Sequence, residues 1–128
     1  MARLWLLIPV LLVTGCGGAA NFSRDTSAGC VTLHGGHVST RAADLDAIAR
    51  HAKAGAFRAR VGVDTATVAF EETSEDAKRT EAAYARVLGD AGEPRKYVLF
   101  RNRNAVVIWA QVPGDEDRAT VVDCLVSR

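Results

Sequence analysis

His34-Gly35-Gly36-His37 sets two imidazoles on either side of two glycines. A backbone that flexible could let both rings converge on Zn²⁺ or Cu²⁺, with His51 or a carboxylate as a third ligand. Structural metal sites normally take four ligands, so the competing reading is a glycine-rich loop that carries two exposed histidines. Glu71, Glu72, Glu75 and Asp76 form a second cluster. Paired carboxylates can act as acid and base when their surroundings push their pKa values apart. These four also fall where the start of a helix favours negative charge, and solvated caps are the expectation. Arg101 and Arg103 alternate with Asn102 and Asn104, with Arg95-Lys96 at the foot of the same segment. Such a basic tip could touch the phosphates of lipid headgroups or an anionic polymer. It could equally be a soluble turn whose charges discourage edge-to-edge aggregation. The chain has no Gly-x-Ser-x-Gly, His-Glu-x-x-His or Gly-x-Gly-x-x-Gly and no phosphate-cradling glycine loop. A non-enzymatic protein without a cofactor is therefore expected.

The elements that would position these residues follow from periodicity. Val31-Thr32-Leu33 reads as a short edge strand. Across 40–55, Leu45, Ile48, Ala49 and Ala52 recur at helical spacing, and Gly55 supplies a stop. Phe57, Ala59, Val61 and Val63 alternate as a strand, Asp64-Thr65 turns, and Val68 and Phe70 continue a second strand. Thr73 with Asp76 three positions on opens a helix that runs to about Gly89, with Ala77, Tyr84, Val87 and Leu88 inward. Segments 97–102 and 105–112 form a second hairpin around Arg103, apolar enough for both faces to be covered. Asp115, Glu116 and Asp117 favour a last helix carrying Val122, Leu125 and Val126 inward, with a strand as the alternative over 115–127.

A helix followed by a hairpin thus occurs twice, 39 residues apart, pairing Leu45 with Tyr84 and Phe70 with Trp109. The expected fold is α+β, an antiparallel sheet of about four strands with two or three helices on one face. The order allows a ferredoxin-like arrangement or a permutation of it, which by itself carries no function. Phe70, Phe100 and Trp109 are expected in the core.

The 128 residues suffice for one domain. Sixteen Lys+Arg against fifteen Asp+Glu give a net charge of +1, without the basic excess of a general nucleic-acid binder. An apolar share of 48% excludes an intrinsically disordered chain.

Arg3 precedes the apolar run Leu4–Val13, which is followed by Thr14-Gly15-Cys16, the three-part layout of a secretory signal. As a helix, ten such residues span about 15 Å, half the hydrocarbon core of a bilayer. Val13-Thr14-Gly15-Cys16 resembles the lipobox of bacterial lipoproteins. That resemblance implies removal of residues 1–15, a diacylglycerol on the Cys16 sulfur and an acylated amino group, together a stable anchor. It implies attachment to the cell membrane or outer membrane, with the domain on the extracytoplasmic side; Gly17, rather than Asp, follows the cysteine.

With Cys16 given to lipid, the odd count of three cysteines leaves Cys30 and Cys124. Export makes a disulfide the expected state of such a pair. Residues 16–29 then read as a lipidated cysteine and flexible tether, and 30–128 as a single domain. The expected role is an interaction module for an envelope protein or polymer. The alternative is a small-ligand or metal-binding lipoprotein using His34 and His37.

Overall fold

A computed structural model describes residues 20–89 and 95–128. The signal segment, Cys16 and residues 17–19 of the expected tether lie outside the described residues. Ser23 is extended, and its Oγ accepts from Thr26 N at 3.4 Å and caps helix α1 (Arg24–Leu33). Two expectations are corrected here. Residues 24–29 are helical rather than tether, and Val31-Thr32-Leu33 ends that helix instead of forming an edge strand. The β-branched pair suggested a strand, but Ser27 and Val31 are buried on one helical stripe, and tertiary packing overrides propensity.

Gly35, at φ +87°, turns the chain out of α1. A Cβ on Gly36 would lie 2.5 Å from Val31 Cγ1, so only glycine lets the chain pass this close into β1 (His37–Ser39). The helix expected over 40–55 is reduced to a 3₁₀ turn at Ala42–Asp44 and one α-turn, α2 (Ala47–Arg50). Asp46 divides them. Its backbone is extended, and its carboxylate caps Ala49 N at 2.8 Å while accepting the Tyr84 hydroxyl at 3.0 Å.

Strands β2 (Ala56–Val61) and β3 (Asp64–Phe70) are joined by Gly62-Val63, with Gly62 at φ +56°. The turn therefore falls two residues before the expected Asp64-Thr65, because Gly62 tolerates positive φ and Asp64 is needed inside. Helix α3 (Ser74–Leu88) starts where expected: Thr73 Oγ1 accepts from Asp76 N at 3.0 Å, and Gly89 ends the helix at φ +62°. Tyr84 and Ala77 face inward, but Val87 is 74% exposed. A helical turn, α4 (Arg95–Val98), precedes β4 (Leu99–Asn102) and β5 (Ala105–Trp109). Both strands are shorter than the sequence suggested, and Val112 is solvent-facing. Phe100, expected in the core, is 38% exposed on the edge strand. The last element is a helix, α5 (Asp115–Asp123).

The sheet has five strands in the order β1-β2-β3-β5-β4, every neighbouring pair antiparallel. The fold is α+β, with one strand more than expected. β3, α3, β4 and β5 form a split crossover, the unit found in ferredoxin-like folds. The helices nonetheless lie on both faces rather than one. One face gathers Phe57, Ala59, Val68, Phe70, Val107 and Trp109 under α1 and α5. The other sets Ala49 of α2 on Ala56 and Ala69, and Ala77 and Tyr84 of α3 on Val106. β5 is apolar on both sides, with Val106 and Ile108 on one face and Val107 and Trp109 on the other, so each face over it needs a cover.

Candidate functional site

Cys30 lies in the last turns of α1 and Cys124 caps α5; they form a disulfide with Cα atoms 5.4 Å apart at a sequence separation of 94. His34 caps the end of α1 on the same corner. Its Nδ1 donates to Cys30 O at 2.8 Å and lies 3.9 Å from Cys30 Sγ and 3.8 Å from Cys124 Sγ. His37 leaves this corner on β1, facing the opposite side of the sheet next to Arg60. Among the described residues the potential metal ligands that gather are Cys30, His34 and Cys124, a group without His37. His51 Nδ1 is engaged in donating to Ala47 O at 2.7 Å.

The arginines of the β4–β5 turn are used internally. Arg101 pairs with Glu81 at 3.3 Å across α3. Arg103, at φ +51°, lies with its guanidinium 4.9 Å from the centre of the Phe22 ring and donates to Ala20 O. Between them and the N-terminal segment sits Asn104, 1% exposed. Its Oδ1 accepts from Phe22 N at 2.8 Å, and its Nδ2 donates to Phe22 O at 3.1 Å and Glu71 O at 2.9 Å. By sequence Asn104 belongs to a hairpin turn, and nothing local signals that it holds the start of the domain.

The acidic cluster is likewise structural. Glu71 is buried and accepts from Lys53 N at 3.1 Å and Thr80 Oγ1 at 2.8 Å. Asp76 is bound by Arg79, Lys53 and Thr73, and the Arg79 hydrogen bond above all holds its carboxyl below the usual range. Glu75 is lowered by its bond to Lys78.

A carboxyl pair that the sequence did not reveal lies elsewhere. Asp64, 3% exposed at the start of β3, accepts from Gln111 Nε2 and Gly114 N, each at 3.1 Å. These bonds and one from Asp117 hold Asp64 below the ordinary aspartate range. The hydrogen bond to Asp64, then burial and nearby negative charge, raise Asp117. Where the pair holds one proton, Asp117 is the member that carries it and donates to Asp64. A carboxyl raised by folding contributes most in acid and loses that contribution as pH climbs through its folded value. Asp64 behaves oppositely, losing its contribution as pH falls through its depressed value. Asp117→Asn makes the donor permanent. The variant is expected to melt above the native protein at pH 8, with the gap closing as pH falls towards the ordinary aspartate range. Thermal melts across that pH series check this, and an equal or lower midpoint at pH 8 rejects it.

The open surface is the side of the sheet beyond α2. Register puts His37 opposite Arg60 and Ser39 opposite Arg58, with Thr67 and Thr65 next across β2–β3. Two adjoining hollows of about 240 and 430 Å³ share Asp44, Arg58 and Thr65. Asp44 is engaged by Ser39 Oγ at 2.5 Å. Arg58 and Arg60 are exposed, and neither makes an ion pair among the described residues. Their positions two apart on β2 put both side chains on the same face, with Cα atoms about 7 Å apart along the strand. A larger polar cleft of about 620 Å³ is the seam where residues 20–25 meet the chain end beside Asn104.

No helix among the described residues is long and apolar enough to cross a membrane. Comparison with protein-family models, curated proteins and solved structures finds no match.

Proposed function

We propose that the chain is an exported lipoprotein whose single domain, anchored through Cys16, binds an anionic polymer of the cell envelope along the β1–β3 groove. The observation that carries this reading is the pair Arg58 and Arg60, solvent-facing and unpaired on one sheet face beside Thr65 and Thr67. Guanidinium forks match the carboxylates or phosphates of such a polymer, and flanking hydroxyls supply the neutral hydrogen bonds. This moves the expected anionic contact from Arg101 and Arg103, which have internal partners, to β2.

The position of the groove suits a tethered domain. Residues 20–22 dock at the end of the sheet marked by Phe70, Glu72 and Asn104. Arg60 and Thr65 lie towards the other end, five residues further along β3 and so about 16 Å away. An anchor at Cys16 would leave the groove facing outward. The disulfide supports export, since such bonds persist in oxidising compartments.

The test has two arms. Intact mass of the native protein is expected to show loss of residues 1–15, added acyl mass and no free thiol; an unacylated chain removes the anchor. A soluble domain beginning at Asn21 is expected to co-sediment with insoluble anionic envelope polymer, less so as salt rises. Arg58→Glu/Arg60→Glu is expected to weaken this by more than about tenfold, because like charges then face each other. Binding that survives that variant, or that is lost in Arg101→Glu/Arg103→Glu instead, rejects the groove.

A further inference from the structure

The disulfide corner holds more than a cross-link, and what it holds is independent of the groove. Ser27, Cys30 and His34 lie on one stripe of α1, at i, i+3 and i+7. Cys124 is brought to the same stripe from the end of α5. The potential ligand atoms of Cys30, His34 and Cys124 all lie within 4.8 Å of one another. A tetrahedral Zn²⁺ with bonds of about 2.3 Å to sulfur and 2.0 Å to nitrogen has S···N edges of about 3.5 Å and S···S edges of about 3.8 Å. The observed His34 Nδ1 separations from the two sulfurs, 3.9 and 3.8 Å, are already close to those edges.

We infer that Cys30, Cys124 and His34 form a redox-gated zinc site, closed while the disulfide stands and able to take one Zn²⁺ once it is reduced. The reductant is a dithiol. Two electrons and two protons pass from it to the disulfide, giving two protein thiols and one oxidised dithiol. Zn²⁺ then displaces the two thiol protons and bonds both thiolates. His34 moves its Nδ1 proton to Nε2 through solvent and exchanges the Cys30 carbonyl for the metal, with no net proton change. The fourth position falls to water, because His34 is exposed and Cys30 half-buried, while Cys124 forms the closed wall.

The corner has a second fastening that reduction does not touch. Ser23 N donates to Val126 O at 2.8 Å, and Ser27 Oγ accepts from Val126 N at 3.1 Å and donates to Val126 O at 3.3 Å. These bonds keep the segment after Cys124 against α1, so the two thiols stay near His34.

The experiment uses the chain with Cys16→Ala, so that Cys30 and Cys124 are its only thiols. A water-soluble phosphine serves as reductant and leaves no competing thiol. Chelator competition with Zn²⁺ alone is expected to show one ion per reduced chain, two protons released on binding, and no uptake by the oxidised chain. Co²⁺ in place of zinc is expected to give thiolate charge-transfer and tetrahedral d–d bands. His34→Ala is expected to weaken zinc binding at least about tenfold, while His37→Ala leaves it unchanged. Circular dichroism guards against a trivial failure: if reduction unfolds the chain, one equivalent of Zn²⁺ is expected to restore the helical signal. The inference is overturned if the reduced chain neither binds zinc nor is refolded by it. It is also overturned if the oxidised chain binds equally, if His34→Ala is without effect, or if His37 proves to be the histidine required.

Discussion

Replacing Cys30 and Cys124 together by serine is expected to cost about 3 kcal/mol, within the usual 2–4 kcal/mol range and below the roughly 4.7 kcal/mol of the loop-entropy model for a closure near 100 residues. For a domain of this size that corresponds to a fall in Tm on the order of 12–20 °C. The effect is large because the bond closes 94 residues of sequence and joins the first helix to the last. The serine pair is expected to remain folded at 25 °C, since Ser23 and Ser27 still bind Val126. Paired thermal melts of native and variant protein provide the check. A loss under about 1 kcal/mol would mean that the Ser27–Val126 contacts already hold the ends together.

Asn104→Ala is expected to cost about 2–4 kcal/mol, a large effect for a single polar truncation. The change strands three buried backbone groups at once, Phe22 N–H, Phe22 C=O and Glu71 C=O. An unsatisfied buried polar group costs roughly 1–3 kcal/mol, and water reaching the seam at residues 20–25 recovers part of that. Asn104→Asp separates the roles. It keeps the acceptor for Phe22 N–H but turns the donor into a negative oxygen facing two carbonyls, so its cost is expected to be comparable. Both variants should release the segment before α1, seen as faster exchange of the Phe22 amide relative to β3 and β5 amides. A change within about 0.5 kcal/mol, or an unchanged Phe22 exchange rate, would remove Asn104 from this role.

Phe22, buried ahead of α1, shows that the domain begins earlier than its composition suggests. The small, polar run before Cys30 has the composition of a linker, and Ser27 looks at home in one. Ser27 is buried because its hydroxyl closes two hydrogen bonds with Val126, a partner 99 residues away. No local window contains that partner. The same holds for Arg103, which reads as a solvent-facing tip until Phe22 is folded beneath its guanidinium. Asp46 falls inside the helix that periodicity predicts over 40–55. Its bond to Tyr84, 38 residues on, helps hold it where it ends one segment and caps the next.

Period-two alternation in β2 and β3, the continuous apolar run of β5, the Thr73 cap of α3 and the counting that pairs Cys30 with Cys124 were all legible in the chain itself. Each depends on neighbours within a few positions, or on the arithmetic of a residue type that has few ways to be used. The side of the sheet on which each helix lands was not legible. Neither was the escape of His37 from His34, nor the exposure of Arg58 and Arg60, nor the meeting of Asp64 with Asp117. These followed only from tertiary pairing: β1 against β2 carries His37 away, α5 brings Asp117 to Asp64, and β3 against β5 gives both hairpins one shared two-sided layer. A strand pattern says which residues share a face; which face is covered, and by what, is decided by how the connections return across the sheet.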